Sequence, residues 1–402
     1  MIQQVKFEMK KYIFRRRNLI ILLLSSLLFA VLIFFSEWKV FIDKTSSVKY
    51  FSYVGDSYTE EVKEKLQDEY EQLRGEIYTT MPDGSIILEQ EQVLAQGTYG
   101  KTKIEDYGLI GAALESIEAV EKRNETIQIL LENQNDAVLN GYYVSEQNNQ
   151  IANKKQLDCF VNFAWFSWGG CLMVILLLGS SFSIENQRKM LPLLSATKKG
   201  EDSLYFSKII TGCIMAVVVN VWFYFLYLII QWLLLGISSD TFRMPLFLVS
   251  GYELCISGMT VGNIMTYHFI FGVFVTILTA LVTMTCSKSI GRSIYAKVAS
   301  VLLFLTGTGV DLFYYAVYQS SFMLNDDRWY LVSIAKMYQI MNLEKRWNPF
   351  SLLTMQYYFA QPRFFTWNGY QYPVYIFPFI VLIILSGILI VYLIWNRKKR
   401  KV

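Results

Sequence analysis

Six long apolar stretches separated by charged segments constrain this chain more than any other feature. They cover residues 18–35, 160–182, 209–237, 266–286, 298–317 and 375–395. A helix rises about 1.5 Å per residue, so roughly twenty apolar residues cross a hydrocarbon core of about 30 Å. In lipid a spanning helix satisfies its own backbone, so each stretch is expected to be a transmembrane helix. Apolar residues make up 53% of the 402 and charged residues only 17%, which agrees with a bilayer as the main solvent. The expected fold class is an all-α integral membrane protein with six spans.

Charge orients the spans. With both termini in the cytoplasm, the inner segments are 1–17, 183–208, 287–297 and 396–402. Together they hold 19 Lys and Arg against four acids (Glu8, Glu185, Glu201, Asp202), although the whole chain carries only +4. Every inner segment is basic, as the positive-inside rule requires. Span one is not expected to be a cleavable signal, because Glu37-Trp38-Lys39 follows it rather than a small-residue cleavage site. Before it, Ile2, Val5, Met9 and Ile13 repeat at helical spacing with lysines between, so 1–17 reads either as an amphipathic helix on the inner surface or as a basic tail that sets topology.

Between spans one and two lies an insertion, 36–158, expected to be a mainly helical extracellular domain. Its helical stretches are 58–78 and 109–139, with Ile110, Ala113, Leu114, Ile117 and Val120 forming an apolar face. Met81-Pro82-Asp83-Gly84 reads as the turn between them. The segment 238–265 is an outer loop. The segment 318–374 is an extracellular or re-entrant hairpin, rich in interfacial aromatics, with a re-entrant or surface-lying helix around 348–358.

Few residues suggest chemistry. Ala95-Gln96-Gly97-Thr98-Tyr99-Gly100-Lys101-Thr102 matches a loose phosphate-loop pattern, but 88–93 is not the buried parallel strand such a loop needs. With one histidine, His268, a His-rich metal site is excluded, and a packed or interfacial role suits that residue. No metal or nucleic-acid motif is present. The cysteines at 159, 171, 213, 255 and 286 have no framework spacing, and only Cys159 and Cys255 are both expected near the outer face. Within the spans, Asp311 beside Gly307 and Gly309, together with Asn220 and Gln231, are candidates for a substrate pathway; a short or broken span five and interhelical hydrogen bonds are the plainer readings.

The cytoplasmic link between spans two and three is the most informative functional segment. Phe182, Glu185, Leu193-Leu194-Ser195, Gly200 and Lys208 in this order resemble the corresponding segment in permease subunits of type-2 ABC exporters. The family shares six spans, cytoplasmic termini, a basic helix before span one and an outer hairpin before span six. Two positions depart from its pattern: Glu201 stands where a basic residue is common, and no glycine follows closely on Glu185. The resemblance implies that 183–208 is a coupling hairpin. Phe182, Glu185, Arg188, Leu193, Leu194, Ser195, Lys198, Lys199, Gly200 and Lys208 would then meet a separate ABC ATPase, which holds ATP and Mg while this chain binds no cofactor. It implies a second permease copy, a bacterial plasma membrane, and outward movement of a peptide, lipid or drug. The insertion after span one is similar to that of many members that handle peptides or antimicrobials. The rival expectation is a non-transporting sensor or immunity protein whose outer domain binds a peptide.

Overall fold

A computed structural model describes residues 2–13, 16–42, 59–80, 86–88, 98–133, 154–162, 165–184, 200–323, 345–360, 363–368 and 370–395. Helices dominate them. In chain order they are α1 (Ile2–Ile13), α2 (Arg16–Ile42), α3 (Glu60–Ile77), α4 (Thr98–Asn133), α5 (Lys154–Asn162), α6 (Phe166–Leu178), α7 (Gly200–Leu235), α8 (Ser239–Arg243), α9 (Val261–Ile290), α10 (Ser293–Met323), α11 (Gln356–Phe359) and α12 (Ile376–Trp395).

Five segments are long and apolar enough to cross a membrane: Asn18–Ser36 in α2, Gln156–Leu178 over α5 and α6, Leu204–Leu235 in α7, and all of α9 and α12. The sixth expected span falls within α10, an unbroken 31-residue helix whose apolar run over Ser293–Gly309 is shorter. The bilayer reading rests on exposure as well as length. Leu23, Leu24, Leu27 and Leu28 of α2 and Ile383, Ile384 and Ile388 of α12 all stand more than half exposed. Contiguous apolar surface of this kind is stable against hydrocarbon and not against water.

Helix ends depart from the apolar boundaries where local hydrogen bonding decides them. Span two closes at Leu178, not at 182, because Gly179 and Ser181 donate their N–H groups back to Ile175 and Leu178 in a tight turn. Helix α9 starts five residues before the apolar run, since Thr260 caps it by accepting from the Asn263 N–H at 3.2 Å. It ends at Gly291, whose φ of +72° suits only glycine comfortably.

Helix α9 is the hub of the bundle, packing on α6, α7, α10 and α12, while α1 and α2 lie against α7. The α6–α7–α9 contact is close because glycines face the neighbouring helices. A Cβ at Gly169 would stand 2.8 Å from the Phe223 ring, and one at Gly212 would stand 2.6 Å from Met284. Without a hydrophobic driving force between helices in lipid, such small-residue contacts supply the van der Waals attraction that holds a bundle together.

Outside the spans, α3 and α4 pair through the expected face: Ile110, Ala113, Ile117 and Val120 are buried, Leu114 partly so, against Leu66, Val62 and Leu73. Lys63 and Glu121 pair at 2.7 Å, and the Tyr70 and Tyr107 rings stack at 4.6 Å. Two features differ from the all-α expectation. The turn expected at 81–84 lies outside the described residues, but it is flanked by antiparallel strands β1 (Tyr78–Thr80) and β2 (Ile86–Leu88). Just before α12, β3 (Phe364–Trp367) pairs with β4 (Tyr370–Pro373). Aromatic residues fill both strands, and Asn368, at φ +52°, opens the Asn-Gly loop that favours two-residue hairpins.

Around 348–358 the structure holds no surface-lying helix. A 3-10 turn (Pro349–Leu353) and the single turn of α11 insert among α9, α10 and α12, with Ser351 and Leu352 fully buried. Pro349 withholds one N–H, and Asn348 caps the turn while donating to the Gly307 carbonyl at 2.5 Å. Gly307 leaves room for the Phe350 ring rather than breaking α10.

Replacing Ile117, fully buried between α3 and α4, with Ala should destabilise this helical pair by about 2–5 kcal/mol. Thermal denaturation of the purified protein followed by proteolysis within α3 and α4 checks it.

Candidate functional site

The α6–α7 link enters and leaves the bundle through a knot of buried polar and aromatic side chains. Lys208, 2% exposed on α7, donates to the Ser181 carbonyl at 2.8 Å, and its ammonium lies 4.7 Å from the centre of the Phe182 ring. Phe182 in turn stacks on Tyr205 at 5.4 Å. A buried ammonium is costly unless hydrogen-bonded and met by a π face, and here both are present.

Helix α9 holds the other side of this knot. Ser287 accepts from the N–H groups of both Phe182 and Ser183 at 3.1 Å, and its hydroxyl meets Ser183 Oγ at 3.4 Å. Lys288, next in sequence, lies 4.8 Å from the Tyr205 ring and donates at 2.7 Å to the Leu393 carbonyl near the C-terminus of α12. A cation at that position also complements the helix dipole. Four helix ends, those of α6, α7, α9 and α12, are thereby joined around one link.

A second polar cluster lies at the middle of the spans. Asn220 on α7 is fully buried, and Thr276 on α9 reaches its Oδ1 at 3.3 Å, while the Thr276 hydroxyl also donates to the Gly272 carbonyl at 2.7 Å. Cys171 on α6 lies 3.5 Å from both the Thr276 and Thr279 hydroxyls. Gly170 and Gly272 bring the backbones together: a Cβ on Gly272 would stand 1.9 Å from Ser167 Oγ. Asn220 Nδ2 and Ser167 Oγ are buried without a hydrogen-bond partner. Each such atom costs about 1–3 kcal/mol.

At the opposite end of the bundle from the knot, the α3–α4 pair is latched to the loop between α7 and α9. Arg123 on α4 donates from Nε to the Glu253 carbonyl at 2.8 Å, and its guanidinium covers the Phe247 ring at 3.9 Å. Asp158 on α5 accepts from the Ser250 N–H and hydroxyl, both at 2.6 Å. Burial pushes the neighbouring Cys255 thiol up to about 12, so it stays neutral and a poor nucleophile at physiological pH. Cys159 and Cys255 are both buried, and no disulfide joins them.

Of the coupling residues expected from sequence, Phe182 and Lys208 are brought into contact, and Gly200 begins α7. Glu185, Arg188, Leu193, Leu194, Ser195, Lys198 and Lys199 lie outside the described residues. Asn220 makes the interhelical contact expected of it, and Gln231 is fully buried on the same helix. The backbone of α10 runs continuously through Asp311, whose side chain lies outside the described residues. His268 is packed on α9 with the Phe166 ring 6.3 Å away. Thr98–Thr102, the end of the phosphate-loop-like string, belongs to α4, and the strand nearest before it, β2, is antiparallel to its neighbour. Among the described residues no group of three or more His, Cys, Asp or Glu could hold a metal ion.

Sequence reasoning missed Ser287, Lys288, Tyr205, Ser167 and Thr276. A signal for the central cluster was present: Gly272, Thr276, Thr279 and Thr283 recur at helical spacing along one face of an apolar stretch. No protein-family model, curated protein or solved structure matches this chain.

Ser287→Ala removes the acceptor of two buried N–H groups and should lower stability by about 1–3 kcal/mol. Ser289→Ala, at an exposed hydroxyl bonded to Tyr392, should change it by less than about 0.5 kcal/mol. Melting temperatures of both variants in one detergent check the contrast.

Proposed function

We propose that this chain is the membrane-embedded permease subunit of an ATP-driven exporter of the type-2 ABC class. Six helices span a bacterial plasma membrane, α10 included. Both termini are cytoplasmic, and the α3–α4 unit lies outside the cell. The observation that carries this reading is the pinning of the 183–208 link at both ends. Phe182 and Lys208 hold each other, and Ser287 and Lys288 tie them to α9 and α12.

A link anchored in this way suits transmission of motion from a partner. On this reading a separate ATPase binds ATP and Mg and closes as a pair. Two permease copies accompany the ATPase pair. Closure moves 183–208, and the four joined helix ends change the tilt of α6, α7, α9 and α12, opening the bundle outward by alternating access. The spans hold few fixed charges, which favours an amphipathic peptide, lipid or drug as cargo.

The Arg123 latch supports a second reading, a sensor or immunity protein in which α3 and α4 bind a peptide and signal to the bundle without transport. One experiment separates the two. Mild-detergent purification of the tagged chain from its native membrane, with mass spectrometry of what co-purifies, should recover a soluble ATPase carrying phosphate-loop and signature motifs. Leu193→Asp combined with Leu194→Asp should abolish that recovery while leaving membrane insertion intact, and Glu185→Ala should uncouple ATP hydrolysis from transport. Reproducible absence of an ATPase from the folded wild-type protein favours the sensor reading.

A further inference from the structure

We propose that Ser167, Asn220 and Thr276 form a closed binding seat for a neutral amide group, reached when α9 separates from α6 and α7. The seat is placed at mid-membrane. Ser167, Asn220 and Thr276 each fall near the centre of their spans, Gln156–Leu178, Leu204–Leu235 and Val261–Ile290. Substrate sites near the midplane are where a pathway between two aqueous sides needs them.

Three observations point to a ligand rather than to packing alone. First, two side chains more than nine-tenths buried are left with idle polar atoms, Asn220 Nδ2 and Ser167 Oγ. Exchanging the Asn220 oxygen and nitrogen does not remove the deficit. The Thr276 proton is engaged at 2.7 Å by the Gly272 carbonyl, so Thr276 Oγ1 then accepts from the amide nitrogen and the amide oxygen is left over. Second, α6 begins at Phe166 with no side-chain cap, which sets Ser167 in the first turn of a helix that starts in mid-span. The Trp168 and Gly169 N–H groups are taken by the Trp165 carbonyl, so Ser167 contributes through its hydroxyl.

Third, the cluster carries no formal charge and contains both donors and an acceptor. A secondary amide matches it: its carbonyl accepts from Asn220, and its N–H donates to Ser167. In the present packing the seat has no room, because the Gly272 backbone fills it and Ser167 Oγ lies where a Cβ would project. Entry therefore requires α9 to move, and α9 is tied through Ser287 and Lys288 to the knot at the α6–α7 link. This inference rests on the exporter reading and narrows its cargo to amide-bearing amphipaths.

Cys171, fully buried against the Thr276 and Thr279 hydroxyls, is a native reporter. The full chain in lipid nanodiscs is treated with methyl methanethiosulfonate, and labelling of Cys171 is followed by peptide mass spectrometry with N-octylacetamide or octyl acetate present. Slow labelling that the amide retards about fivefold more than the ester, the difference expected for one added hydrogen bond, supports the seat. Loss of that difference in Ser167→Ala and in Asn220→Leu, with melting temperatures equal to or above wild type, supports it further.

Equal effects of amide and ester overturn the proposal. So does absence of Cys171 labelling in the wild-type chain, since the seat then does not open. A fall in melting temperature in both variants also overturns it by making the cluster a structural tie. No ATPase is needed for the assay, so its failure leaves the co-purification test of the exporter reading unaffected.

Discussion

The close approach of α6, α7 and α9 is the contact on which the rest of the structure depends. In lipid, burying apolar side chains gains little over leaving them in hydrocarbon, so helices associate where backbones can come near. Gly169, Gly170, Gly212 and Gly272 allow that approach, and Phe223 and Met284 fill the space their missing side chains leave. Helices α2, α10 and α12 then lie around this centre with leucine and isoleucine faces turned outward. The same closeness leaves Asn220 and Ser167 with idle polar atoms at the core. A contact that is tight yet polar-deficient has less to lose on opening than an apolar one of equal area.

The two ends of the bundle are built on different physics. At one end, the knot around Phe182 and Lys208 uses cations with their alkyl stems buried, aromatic faces and backbone carbonyls. Its elements are helix termini, where orphan carbonyls and N–H groups are available for side chains to satisfy. At the other end, the loop between α7 and α9 is folded by its own turns and its Pro245–Thr260 bridge. Arg123, Asp158 and Asn162 fasten it to α4 and α5. Helices α7 and α9 run between the two ends. The central cluster thus lies midway between the Phe182–Lys208 knot and the end of the bundle that meets the α3–α4 pair.

Much of the architecture was legible from residue patterns because the bilayer imposes a length and a polarity on any helix that crosses it. The apolar stretches located α2, α7, α9 and α12, and the 110–120 face was recognised from its spacing and is buried as expected. Boundaries were less legible. Span two ended early, at a turn through Gly179, and α9 began early, at the Thr260 cap, because hydrogen bonds rather than hydropathy set helix ends. The inserted turn at Pro349–Leu353 read from sequence as either a re-entrant or a surface-lying helix, since aromatic content alone does not distinguish a buried element from a surface one.

By itself the sequence determined that the chain is a helical membrane protein and drew attention to Phe182 and Lys208 as the ends of a link. The first follows from hydropathy over about twenty residues, and the second from the resemblance carried by the order of side chains along 182–208. Only the tertiary structure decided that Ser287 and Lys288 close the knot. It alone brought Ser167, Asn220 and Thr276 together from three helices far apart in sequence. Serine, threonine and asparagine in an apolar stretch look alike until neighbouring backbones assign each one a donor, an acceptor or neither. That assignment depends on which helices touch, and glycine contacts between distant segments determine it.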